Sequence, residues 1–194
     1  MRFMKPTTLA ACLLFLSGAA PAGAPSIGTD APPFRLTTLD GKSFSLSEAE
    51  KSHTAVVVIF IATRCPYSNA YNDRMREMAR AYEGKGILFA GINSNKSEPA
   101  EEVAAHAKQH GLAFPLMKDP ENKVADLYDA RRTPEVFVVD REGKLRYHGR
   151  IDENYEDASK VTSPDLKNAL DQMLTGKPIT RAETKAFGCS IKRT

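Results

Sequence analysis

A chain of 194 residues, 42% hydrophobic and 26% charged, is long enough to enclose one domain's core and too apolar for a disordered polymer. Its net charge of +3 drops to +1 once Arg2 and Lys5, the only charges before Asp30, are set aside. With no basic run elsewhere, nothing electrostatic argues for a nucleic-acid partner.

Residues 1–24 combine a basic start, an apolar stretch from Leu9 to Leu16 and small residues at Ala22-Gly23-Ala24. This is the secretory-signal pattern, with an apolar part too short for a permanent membrane span. It divides the chain into a signal peptide at 1–24, a domain at 25–176 and a C-terminal tail at 177–194, and implies export, to a bacterial periplasm. Leu9-Ala10-Ala11-Cys12 resembles a lipoprotein cleavage box, but the apolar stretch continues past Cys12 to Leu16, which favours plain export over a lipid anchor. If Cys12 leaves with the signal, Cys65 and Cys189 remain in a compartment where disulfides form.

Phe34–Thr37 and Lys42–Ser45 flank Asp40-Gly41, a hairpin signal, and a helical turn is expected over Leu46–Glu50. The continuous apolar run Val56–Ile61 reads as a strand buried on both faces. Cys65 follows it, and Pro66 suits the first position of a helix, where a missing N–H costs nothing. A sulfur at that junction faces the helix's free N–H groups and positive dipole end, which favour thiolate, the form that attacks disulfides or peroxides. Arg64 adds a positive charge, Thr63 precedes it, and Ser68 stands within hydrogen-bonding range along the helix. The alternative is an inert, merely buried cysteine. Tyr67, Ala70, Tyr71, Met75, Met78, Ala79 and Tyr82 recur with helical spacing as a core-packing stripe, and Gly84 and Gly86 stop the helix.

Ile87–Ile92 is a second buried strand, and Ser97-Glu98-Pro99 opens a helix with Glu101 and Glu102 early and Lys108 late, matching the dipole. His106 and His110 lie four apart on it; without a third ligand they read as solvated surface, and no metal or other cofactor is expected. A short helix at Asn122–Tyr128 should turn Val124, Leu127 and Tyr128 inward. Thr133-Pro134 opens an apolar strand to Asp140, where proline cannot join a ladder and a cis bond is permitted. Asp140–Gly143 then turns into a partner strand over Lys144–Arg150. Ile151–Ser163 is an acidic loop without regular calcium-ligand spacing, read as solvated. Ser163-Pro164 caps a last helix ending at Gly176, and the tail carries Cys189 without periodicity.

Parallel strands joined by helices, then an antiparallel pair, build an α/β sandwich of three layers. Cys65-Pro66 between strand and helix, with Thr133-Pro134 before a late strand, resembles the thioredoxin-like superfamily. Ala31-Pro32-Pro33-Phe34-Arg35-Leu36 with Asp40-Gly41-Lys42 resembles its redoxin branch, the AhpC/TSA group. Gly149-Arg150-Ile151-Asp152 and Gly188-Cys189-Ser190-Ile191-Lys192 are similar to an exported peroxiredoxin-like subgroup. The resemblance implies a thioredoxin-like α/β/α sandwich with a mixed central sheet and an N-terminal β-hairpin. It also implies that Thr133 and Pro134 face the reactive cysteine and bind substrate backbone.

The chain departs from both family patterns. Cys65-Pro66-Tyr67-Ser68 has serine where thioredoxins carry a second cysteine. Ala62 and Val58 stand where peroxiredoxins carry the threonine and proline of Pro-X-X-X-Thr-X-X-Cys, and Arg131 or Arg132 would have to supply the peroxidase arginine. Three functions follow as expectations. The first is thiol–disulfide exchange by Cys65, resolved by Cys189 or an external thiol reductant, on a protein or small-molecule disulfide. The second is peroxide reduction through a sulfenic acid at Cys65. The third, of another class, is a non-catalytic copper- or thiol-binding chaperone, which the lack of a second thiolate at position 68 disfavours.

Overall fold

The computed structural model describes Met1 and residues 24–193; most of the expected signal segment, with Cys12, lies outside the described residues. The chain opens with a hairpin of β1 (Arg35–Thr37) and β2 (Ser43–Ser45), paired antiparallel with Leu36 opposite Phe44. Gly41, at φ +84, closes its loop, a left-handed conformation that glycine adopts freely. α1 (Leu46–Ser52) follows directly, then β3 (Ala55–Phe60), α2 (Pro66–Ala70), α3 (Asn72–Glu83) and β4 (Ile87–Asn93). Next come α4 (Ala100–His110), β5 (Leu116–Lys118), a single 3-10 turn at Pro120–Asn122 and α5 (Lys123–Leu127). β6 (Arg132–Thr133), β7 (Glu135–Asp140), β8 (Leu145–Gly149), α6 (Asp165–Leu174) and β9 (Cys189–Ser190) complete the order.

Five strands form the central sheet in the order β5-β4-β3-β7-β8. β3 runs parallel to β4 and antiparallel to β7, so the sheet is mixed, as expected. Every residue of β3 is fully buried, because alternate side chains leave opposite faces and both faces are covered. Val56, Val58 and Phe60 pack with Phe34, Phe44, Leu46, Ala125 and Tyr128 under α1, α5 and the hairpin. Val57, Ile59 and Ile61 pack with Tyr71, Met75, Leu166 and Leu170 under α3 and α6. These are the three layers of the thioredoxin-like sandwich.

Three local readings change. The helix expected to run unbroken from Pro66 is two helices, broken at Tyr71. There the Tyr71 N–H bonds back to Ser68 O at 3.1 Å, tightening the last turn, while its buried phenol donates to Asp152 Oδ1 at 2.8 Å. Leu127 is 39% exposed rather than inward, because α5 is a single short turn whose Val124, Ala125 and Tyr128 fill the core contact. The acidic loop is anchored, not freely solvated: Arg74 pairs with the buried Asp152 at 2.6 Å and donates to the carbonyls of Asn154 and Tyr155.

Candidate active site

Cys65 stands at the N-cap of α2, past the end of the most buried strand. Its Sγ accepts from the Ser68 N–H at 3.4 Å, while the Ser68 hydroxyl is turned to the Ala62 N–H at 3.1 Å. Two acids fix the turn before the cysteine. Glu98, buried, accepts from the Thr63 N–H at 2.9 Å and the Arg64 N–H at 3.2 Å. Glu102 accepts from the Thr63 hydroxyl at 2.6 Å and pairs with the exposed guanidinium of Arg64. The Arg64 charge is thereby held by a carboxylate. Glu98 also receives Asn93 Nδ2 at 2.5 Å and Asn95 Nδ2 at 3.0 Å. Burial works against its charge, but these donors hold its carboxyl below the usual range.

The Thr133–Pro134 bond is cis and faces the sulfur: as a thiol, Cys65 donates to Thr133 O at 3.2 Å. The loop is braced from behind by the buried Glu135, whose Oε2 accepts from the N–H groups of Arg131 and Arg132 at 2.7 and 2.8 Å. His148 Nε2 lies 2.8 Å from the other oxygen. Arg131 pairs with Asp129, and Arg132 donates to Gly188 O and Ser190 Oγ.

The tail returns to this loop. After α6 it runs beside β8, with the Thr184 N–H on His148 O at 3.0 Å, and Phe187 packs against Tyr67, Tyr71 and Tyr155. β9 then pairs antiparallel with β6, Cys189 opposite Thr133 and Ser190 opposite Arg132. Beyond it the Ile191 N–H bonds Arg131 O at 3.0 Å and the Lys192 N–H bonds Asn95 Oδ1 at 2.7 Å. Asn95 thus links the acid that shapes the Cys65 turn to the strand that carries Cys189.

Both cysteines are free thiols, and each shifts the other's acidity. Burial disfavours a thiolate at Cys65, but the Cys189 side chain, the Ser68 amide, the Thr133 hydroxyl and the Cys189 amide donate toward it and hold it below its ordinary value. Burial and the facing Cys65 sulfur push Cys189 up to about 11. The Thr133 hydroxyl, buried, has no partner while Cys65 is a thiol. It is among the groups that favour the Cys65 thiolate.

Sequence reading placed Cys65, Thr133 and Pro134 without their distances, and could not trace Cys189. It missed Glu98, Asn95 and Glu135, all distant in sequence from the cysteines; the acid just before Pro99 was the available signal. The His106 and His110 rings lie 4.4 Å apart between centroids, tilted by 44°, and His106 faces Asn72 Nδ2 at 3.2 Å. Among the described residues no group of three His, Cys, Asp or Glu side chains is placed to hold a metal.

The family model of the AhpC/TSA family matches residues 27–148. The thiol-disulfide oxidoreductase ResA of Bacillus subtilis strain 168 is 30% identical over 128 residues, 64% of this chain and 68% of that protein. Among solved structures, hypothetical protein SMc02350 from Sinorhizobium meliloti 1021 superimposes with a TM-score of 0.81 at 36% identity, covering 89% of this chain and 97% of its own. An uncharacterized conserved protein from Geobacillus kaustophilus does so at 0.81 and 33%, covering 87% and 93%. The family match ends before Cys189 and does not include the returning tail.

Proposed function

The chain belongs to the AhpC/TSA family, and on that premise we propose that it is a thiol-based oxidoreductase in which Cys65 exchanges with disulfides and Cys189 resolves the product. The observation that carries this reading is that Cys189 pairs opposite Thr133, the residue whose carbonyl faces the Cys65 sulfur. The Cys65 thiolate attacks one sulfur of a substrate disulfide, forming a mixed disulfide and releasing the other sulfur as a thiolate that takes up a proton. Cys189 then gives up its proton and attacks Cys65 Sγ, releasing the second substrate thiol. The chain is left with a Cys65–Cys189 disulfide, which an external thiol reductant returns to two thiols. Thr133 and Pro134 line the approach to the sulfur; Thr63, Arg64, Pro66 and Ser68 shape the turn that holds it. The likeness to ResA supports exchange as the chemistry. Peroxide reduction draws less support: Ala62 and Val58 are buried apolar residues where a peroxide pocket would need threonine and proline.

The same proposal extends to cellular place. Residues 1–24 act as a signal peptide, the domain occupies 25–176, the tail 177–194, and the protein works in the periplasm without a lipid on Cys12. The thiol reductant and the disulfide substrate are then periplasmic, and no nucleic acid or metal takes part.

Single-turnover reduction of a model disulfide, with peroxide consumption measured beside it, tests the reading. We expect disulfide reduction that Cys65→Ser abolishes and a Cys65–Cys189 bridge in non-reducing peptide maps. Peroxide consumption outpacing disulfide reduction, or oxidised protein without that bridge, would reject it.

A further inference from the structure

Cys65 is 3% exposed, although a nucleophile in exchange must be met by a second sulfur. The chain's own tail lies against the loop that faces it. The Thr133 carbonyl lies 3.2 Å from Cys65 Sγ, and the edge of β6 beside it is already paired with β9. The approach is closer than a side chain would allow: Gly188 sits at φ +134, and a Cβ there would run into the Thr133 carbonyl oxygen. Arg132 clamps the same segment through Gly188 O and Ser190 Oγ. An extended strand bearing a sulfur opposite Thr133 is also the arrangement in which a peptide disulfide would present itself, with its backbone paired to β6 and its sulfur against Cys65.

We propose that β9 is the specificity element of this site: it occupies the β6 edge that a disulfide on an extended peptide must use, so peptide disulfides reach Cys65 only when β9 lifts away. The inference rests on the exchange reading above and adds to it a competition between the tail and peptide substrates. A small disulfide needs only the sulfur and not the edge, so its exchange depends less on β9. β9 itself contributes two paired residues, and the Arg132, Ile191 and Lys192 contacts add to its hold. Apparent affinity for a peptide is reduced by the fraction of chains in which the edge is free.

The test compares two activated disulfides in single turnover, a chromogenic aromatic disulfide and an extended octapeptide whose cysteine carries the same aromatic thiol. In each, the Cys65 thiolate displaces the coloured thiolate and keeps the other half as a mixed disulfide; the part lost in Cys65→Ser is the Cys65 signal. Gly188→Val forces β9 from the edge, and a chain ending at Lys185 removes it, which keeps the test open if the valine variant folds poorly. Both should raise the peptide-to-small rate ratio about tenfold or more over the unaltered chain. A Cys65 that reacts with the small disulfide but shows the same ratio in all three proteins overturns the proposal and leaves exchange standing. A Cys65 inert toward the small disulfide in every protein overturns the exchange reading, and this inference with it.

Discussion

Glu98 shows how much one buried side chain can decide. Its carboxylate takes four hydrogen bonds, from the N–H groups of Thr63 and Arg64 and the amides of Asn93 and Asn95, and offers none in return. Every partner is a donor, so the site requires an ionised acid. Glu98→Gln would turn an NH2 group toward donors and leave a buried donor unmet, a change that costs about 1–3 kcal/mol. The sign of the pH dependence follows from its lowered pKa. Such a carboxyl contributes stability that is fully present above its unfolded value of about 4.3 and is lost as pH falls through the lower folded value. Urea titrations across that range should show the unaltered chain losing an increment that Glu98→Gln lacks at every pH. Equal midpoints for both proteins at neutral pH would refute the role given to Glu98. Asn95 carries the same constraint onward, because its Oδ1 holds the Lys192 N–H. Neither residue announced this in sequence: a lone acid before a proline looks like the start of a helix, and although Asn93 and Asn95 are near it in the chain, the N–H groups of Thr63 and Arg64 reach it only on folding.

Elements differ in legibility according to how local their causes are. β3 was readable because six consecutive apolar residues leave a strand no solvent face, and the structure buries all six. The break between α2 and α3 was not, since the helical stripe passes through Tyr71 unbroken and the interruption depends on Asp152, far along the chain. β5, of three residues, and the pairing of β6 with β9, of two, carry no period from which to read them. The same contrast separates two residues that sequence reading set equally inside. Ile59 is fully buried between β4 and β7 beneath α3, whereas Leu127 on α5 is 39% exposed. Ile59→Ala should destabilise by about 2–5 kcal/mol through lost transfer energy and the cavity left behind. Leu127→Ala should stay within about 0.5 kcal/mol, as surface changes do. Comparable losses in chemical denaturation would show that α5 buries its outer face after all.

At the scale of the whole molecule, the tail joins the last residues of the chain to the end of its central strand. It crosses β8, packs Phe187 among three tyrosines, pairs with β6 and ends with Arg193 donating to Ala130 O at 2.7 Å and facing Asp126 at 3.0 Å. Closing Cys65 to Cys189 would therefore join the end of the central strand to a segment already paired with the loop that faces it. A cross-link enclosing a loop of roughly 120 residues removes chain entropy from the unfolded state equivalent to on the order of 5 kcal/mol in the loop-closure model. Against this stands the thiolate stabilisation that the reduced site loses on oxidation, about 1.4 kcal/mol for each unit by which the Cys65 pKa is lowered. Only a lowering of more than about three units would match the loop-closure figure, so the entropy gain should win. Urea unfolding of the oxidised chain should accordingly have a higher midpoint than unfolding of the reduced chain, by a few kcal/mol in stability. Because stability and reduction potential are linked through one cycle, the same difference would mark this pair as a weak oxidant, which acts as a reductant once an external thiol has reduced it. A reduced form more stable than the oxidised one would invert that direction and make the protein a donor of disulfides.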